Sequence, residues 1–266
     1  MTHSRAALAI LALPAFLCGC VVDAPAGTLT PYQPTVDSGS PTLSCDDVSL
    51  TLDPSLASSY TCEIVPEATI MFFSHPDYVH IELEGFAHPD GHWVPEVSIF
   101  PVEEFIAKEF FVSGEVDLLE ANLEAYTNGD GPVTHEWGAL PFLFALEQGQ
   151  FYYAQYEVFS FESGAGIRYL TGFTQDMGVF SNPETYTYQA LTEDGRYWVS
   201  ASFPVSHPVI PEYSWPPTGM TEDEFYENYD AYVSDIVDQL NAQNSGSFTP
   251  TLDALDALVS SIVIAP

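Results

Sequence analysis

Tyr186-Thr187-Tyr188-Gln189-Ala190-Leu191-Thr192-Glu193-Asp194-Gly195-Arg196-Tyr197-Trp198-Val199-Ser200-Ala201-Ser202-Phe203-Pro204-Val205 is the stretch that decides the fold class. Asp-Gly between two alternating runs is the strongest short-range hairpin pattern, because a tight reversal needs residues that tolerate positive φ. In the second run Tyr197, Val199, Ala201, Phe203 and Val205 fall on one face, ready to meet a core. Upstream, Phe151–Phe161 and Ile167–Thr174 are aromatic strands joined by a turn at Ser163-Gly164-Ala165-Gly166. Further upstream, Ile81-Glu82-Leu83-Glu84 alternates as a half-buried strand, flanked by strand candidates at Ala68–Ser74 and Trp93–Phe100.

Helical spacing interrupts the strands twice. Val102, Phe105 and Ile106 share a face of a short helix beginning at Pro101. Val116, Leu119, Leu123 and Tyr126 mark a second helix, stopped by Asn128-Gly129. Near the C-terminus Thr221-Glu222-Asp223-Glu224 is a capping box, followed by the stripe Phe225, Tyr229, Val233, Ile236 and Leu240. Thr249 with Pro250 opens a last helix, whose stripe is Leu252, Leu255, Val259 and Ile262. Strands, helices, a meander and helices again predict an α+β fold: an antiparallel β-sheet packed against helices, in a single domain over residues 43–264.

Residues 1–19 read as a lipoprotein signal peptide. Arg5 is followed by the short apolar stretch Ala6–Leu17 and then Leu17-Cys18-Gly19-Cys20, which resembles a bacterial lipobox with Cys20 as the lipidated residue. Two or more acyl chains on that cysteine give stable membrane anchoring. Residues 20–42, rich in Pro, Thr, Ser and Gly, read as a flexible tether. The expected location is therefore the cell envelope, as a membrane-anchored lipoprotein with membrane lipid as its first partner. Val21 behind Cys20 favours the outer membrane where the organism has one. No apolar run reaches the ~18–20 residues of a spanning helix. Cys45 and Cys62 remain as an even pair in an exported chain and read as a disulfide, two buried thiols being the alternative.

The chain is acidic throughout, with 4 Lys and Arg against 38 Asp and Glu and a formal charge of −34. Beyond the leader only Lys108, Arg168 and Arg196 are basic, which argues against nucleic acid as a partner. Such a charge opposes compaction, so a saline habitat relieves it; binding of cations or of a basic partner is the sharper reading.

Several short motifs occur in order: His75-Pro76-Asp77-Tyr78, Leu140-Pro141-Phe142, Gly164-Ala165-Gly166-Ile167-Arg168-Tyr169-Leu170-Thr171, Tyr188-Gln189-Ala190-Leu191-Thr192 with Asp194-Gly195, and Phe203-Pro204-Val205 with His207-Pro208. The set resembles a family of exported bacterial proteins, many of them predicted lipoproteins. The resemblance implies export and a single domain, and it carries no catalytic residues with it.

Catalytic patterns are sparse. There is no G-x-S-x-G elbow and no phosphate-cradling loop, and no cofactor is implied. The remaining constellation is His80, His88 and His92 with Glu82, where imidazole and carboxylate donors at irregular spacing could ligate zinc or a similar ion. Solvated loops are the blander reading. His75 and His207 each precede Pro and are expected to brace turns. Arg168 and Arg196 are expected to bridge carboxylates across strands, with an anion clamp as the alternative. The expected function is thus non-catalytic binding of a ligand or envelope partner, against the alternative of a metal-dependent hydrolase built on the histidine cluster.

Overall fold

A computed structural model describes residues 42–70, 73–87, 94–143 and 148–265. The leader, Cys20 and the tether up to residue 41 lie outside those residues. The described chain forms a single α+β domain. Its strands are β1 (Thr42–Cys45), β2 (Val48–Thr51), β3 (Ser59–Val65), β4 (Ala68–Ile70), β5 (Phe73–His75), β6 (Tyr78–Glu84) and β7 (Glu96–Pro101). Two helices follow, α1 (Val102–Lys108) and α2 (Val112–Asn128), and then the meander β8 (Gly149–Phe161), β9 (Gly164–Thr174), β10 (Glu184–Thr192) and β11 (Tyr197–Val205). The chain closes with α3 (Glu222–Glu227), α4 (Tyr229–Asn241), α5 (Leu252–Ser260) and β12 (Val263–Ile264).

Among the described residues, β3-β6-β7-β11-β10-β9-β8 form a seven-stranded antiparallel sheet. Small sheets β1-β2-β12 and β4-β5 flank it. The hairpin quoted above supplies its two most central meander strands, turning through Gly195 at φ +69°. Val199, Ala201, Phe203 and Val205 do share one face, where they join Tyr186 and Tyr188 of β10, Phe225, Leu240 of α4 and Leu255 of α5 in the larger core. The opposite face carries a smaller core, in which Phe100, Ile167, Tyr169 and Trp198 meet Phe105 of α1 and Leu119 of α2. The sheet is thus covered on both sides, and β10 is buried at every position.

Four local expectations shift. Gly164-Ala165-Gly166 lies inside β9 rather than in a turn: a Cβ on Gly164 would collide with the Leu191 carbonyl oxygen and one on Gly166 with Ala190 of β10. The C-terminal stripe breaks at Asn228, which leaves helical geometry (φ −121°, ψ 21°) and separates α3 from α4. Thr251 rather than Thr249 caps α5, because the Thr249 backbone N–H and C=O are both taken by Ser206, at 2.9 and 2.8 Å. In α1, Val102 and Phe105 are buried but Ile106 is exposed. The Thr221 capping box forms as expected, with Oγ1 accepting from the Glu224 N–H and Glu224 Oε2 accepting from the Thr221 N–H. A Cys45–Cys62 disulfide joins the small β1-β2-β12 sheet to edge strand β3.

Candidate functional site

Antiparallel register stacks side chains of the same face into lateral rows, strands about 4.8 Å apart. On the α1–α2 side of the main sheet one such row runs Glu63, His80, Ser98, Ser200, Gln189. The next runs Thr61, Glu82, Glu96, Ser202, Thr187. A sheet covered on both faces normally reads apolar on both. Here the face is apolar only where it meets α1 and α2 and polar across five strands beside them, with Ser98, Ser200, Ser202, Thr187 and Gln189 all buried.

Part of this floor is occupied by the chain itself. Gln189 Oε1 accepts from the Trp198 indole N–H (2.8 Å) and from the Leu143 N–H (3.0 Å), while its amide donates to Ser200 Oγ at 2.9 Å. Ser200 in turn donates to the Leu143 carbonyl. The segment leading to Leu143 is fastened further back: Tyr169 donates to the Pro141 carbonyl (2.8 Å), and the Phe142 N–H donates to Glu115 of α2 (3.1 Å). The other Glu115 oxygen meets His135 Nε2 at 2.9 Å. Burial pushes the Glu115 carboxyl up, and His135 opposes that shift.

The remaining part centres on His80. Its Nδ1 lies 3.3 Å from Ser98 Oγ and its Nε2 3.8 Å from Glu96 Oε2. The imidazole is largely enclosed, with 17% of its side chain exposed against 35% for Glu96. Burial lowers the pKa of His80, partly offset by Glu63 and Glu82, so enclosure favours the neutral ring. Burial first, and the Glu82 charge second, push the Glu96 carboxyl up to about 7. Thr187, fully buried, has a hydroxyl with no hydrogen-bond partner among the described residues.

Of the residues singled out in the sequence, His80 and Glu82 share this face, whereas His88 and His92 lie outside the described residues. Among the described residues no group of three or more His, Cys, Asp or Glu side chains is disposed to hold a metal ion. His75 and His207 brace turns as expected: His75 Nδ1 sits 2.9 Å from the Pro76 carbonyl, and His207 Nδ1 accepts from the Val209 N–H at 3.1 Å. Arg168 is buried and bridges Glu157, its cross-strand partner on β8, and Asp256 of α5. Arg196 is exposed and pairs with Asp194 at 2.5 Å. A shallow cleft of about 500 Å³ beside it, lined by Glu103, Glu104 and Tyr197, offers no free cation for an anion.

Glu96, Ser98, Ser202 and Thr187 were not singled out in the sequence. The signature of Ser202 was present in β11, where small polar residues alternate with a full apolar stripe on a strand too central to leave either face in water. Protein-family models, curated proteins and solved structures were all compared with the chain, and none matches.

Proposed function

We propose that this protein is an exported, lipid-anchored protein of the cell envelope that binds a ligand or partner without transforming it. Cys20 would carry the anchor, the residues after it the tether, and the α+β domain the binding surface. The observation that carries the binding role is the polar floor around His80. Hydroxyls in a buried sheet face cost stability unless something satisfies them, so a core optimised for stability alone would have filled these positions with apolar side chains.

Binding is favoured over turnover by the setting of Ser98. His80 touches it, as a general base would, but β7 is paired on both sides, by β6 and β11. Its backbone N–H groups face those ladders, so β7 itself offers no pair of amides to hold an oxyanion beside the hydroxyl.

Site-specific photocrosslinking in intact cells tests this reading. A benzophenone side chain at Glu63, exposed on the rim of the floor, should give a discrete adduct, and one at Glu227 on α3 should not. The adduct should also sediment with membranes and become soluble on Cys20→Ala. No adduct at Glu63, or the same products from both positions, would refute the binding role; a soluble wild-type protein would refute the anchor.

A further inference from the structure

Among the described residues the acidic side of this floor has no Lys or Arg partner. The whole sequence holds 4 Lys and Arg residues. The three beyond the leader are committed elsewhere: Lys108 to Glu67 at 2.6 Å, Arg168 to Glu157 and Asp256, Arg196 to Asp194. Yet Glu82 and Glu96 are direct cross-strand partners on one face, an arrangement in which like charges repel. Glu63 adds a third carboxylate one rung away, beside His80. His80 is a poor counter-ion, since its Nε2 stays 3.8 Å from Glu96 and enclosure disfavours the charged ring. Thr187 supplies an independent observation. It stands in the same lateral row as Glu82 and Glu96, fully buried, with an unpartnered hydroxyl. The row therefore sets two opposed carboxylates beside hydroxyls, with no Lys or Arg among the described residues to offset them.

We propose that the row Glu82, Glu96, Ser202 and Thr187 binds an ammonium or guanidinium group of an organic ligand. This rests on the reading of the face as a ligand surface and names the chemistry it accepts. The group would set its N–H donors between the opposed carboxylates, with the Ser202 and Thr187 hydroxyls accepting at the inner end. Charge-assisted hydrogen bonds of this kind are about twice as strong as neutral ones. A bare metal ion fits less well, because among the described residues no three His, Cys, Asp or Glu side chains are grouped to hold one. The approach of any cation is favoured by the −34 charge of the chain, so specificity has to be separated from bulk attraction.

Isothermal titration of the purified protein with agmatine and with 1,5-diaminopentane, in ~0.15 M salt to screen distant charges, makes that separation. At least one amine should bind saturably at one site. Glu82→Gln/Glu96→Gln should weaken it at least tenfold. Asp235→Asn/Asp238→Asn, which removes the same charge from the exposed face of α4, should change it less than twofold. Glu96→Lys, which supplies the ammonium from the chain itself, should abolish binding, and unfolding curves on each variant confirm that it is folded. Equal weakening in both neutralised doubles would reduce the effect to bulk attraction and overturn the proposal, as would the absence of saturable heat with either amine. Maltose or Zn²⁺ binding that is lost in Glu82→Gln/Glu96→Gln, with neither amine binding, would overturn the cation while leaving the face as a ligand surface. A failed crosslink from Glu63 would instead remove the surface itself.

Discussion

Glu184 opens β10 with its carboxyl enclosed in the larger core, held by the Ser181 N–H at 2.8 Å. Burial pushes it up to about 8, against the opposing effect of the Ser181 hydrogen bond. The native state therefore keeps a proton that the unfolded chain, near 4.5, has released. Unfolding releases that proton, so stability is fully present below pH 4.5 and falls as pH rises toward 8, by about 1.4 kcal/mol per unit at most. Glu184→Gln should flatten this part of the profile. Urea midpoints at pH 5 and pH 8 should converge in the variant relative to wild type, and parallel profiles would show that Glu184 ionises normally. Arg168 poses the opposite case, a buried cation with partners on β8 and α5, and Tyr186 donating to Asp256 at 2.8 Å beside it. Arg168→Met strands Asp256, whose carboxyl burial already pushes up to about 6 despite the guanidinium. The expected loss is about 3–5 kcal/mol by equilibrium unfolding, with part of it recovered on adding Asp256→Leu.

At the level of elements, local chemistry explains which expectations held. The Asp194-Gly195 turn and the Thr221 box are encoded within a few residues, and both formed where the sequence put them. Thr221→Ala should cost about 1 kcal/mol in unfolding free energy, since it frees amide donors at the start of α3. A loss under about 0.3 kcal/mol would mean that tertiary packing alone holds α3. The disulfide also followed from a count of cysteines, and it closes a separation of 17 residues. Its reduction should lower stability by up to about 3 kcal/mol in the chain-entropy account, read as a fall in the melting temperature with dithiothreitol. Failures came where a distant strand decided the outcome. Glycines that look like a turn were needed for the close approach of β10, and the Thr249 backbone was claimed by Ser206. The candidate site was illegible for the same reason. His80 and Glu82 stand out as a local pattern, but Ser98, Ser202 and Thr187 join them only through the register of four strands, which no short window of sequence contains.

The whole molecule is tied together by one crossover. The chain leaves central strand β7 through α1 and α2, starts again at the far edge with β8, and zigzags back until β11 pairs with β7. Residues on either side of the connection after α2 therefore share one sheet and both of its cores. A fragment ending near residue 128 would keep β3, β6 and β7 but lose the strand that covers β7. A fragment beginning near residue 149 would keep the meander and α4 but expose the β11 edge and the apolar face now under α1 and α2. Neither half buries its own core, so neither should persist alone. The stretch after α2 up to Leu143 is also fastened down, since Leu140, Phe142 and Leu143 each donate a backbone N–H to a side chain of another element. Limited proteolysis should accordingly cut between residues 128 and 143 only slowly. Chain nicked there should elute at the size of the intact domain and separate only at denaturant concentrations that unfold it. Two fragments that elute apart and each show cooperative unfolding would mean that the sheet is two domains laid edge to edge.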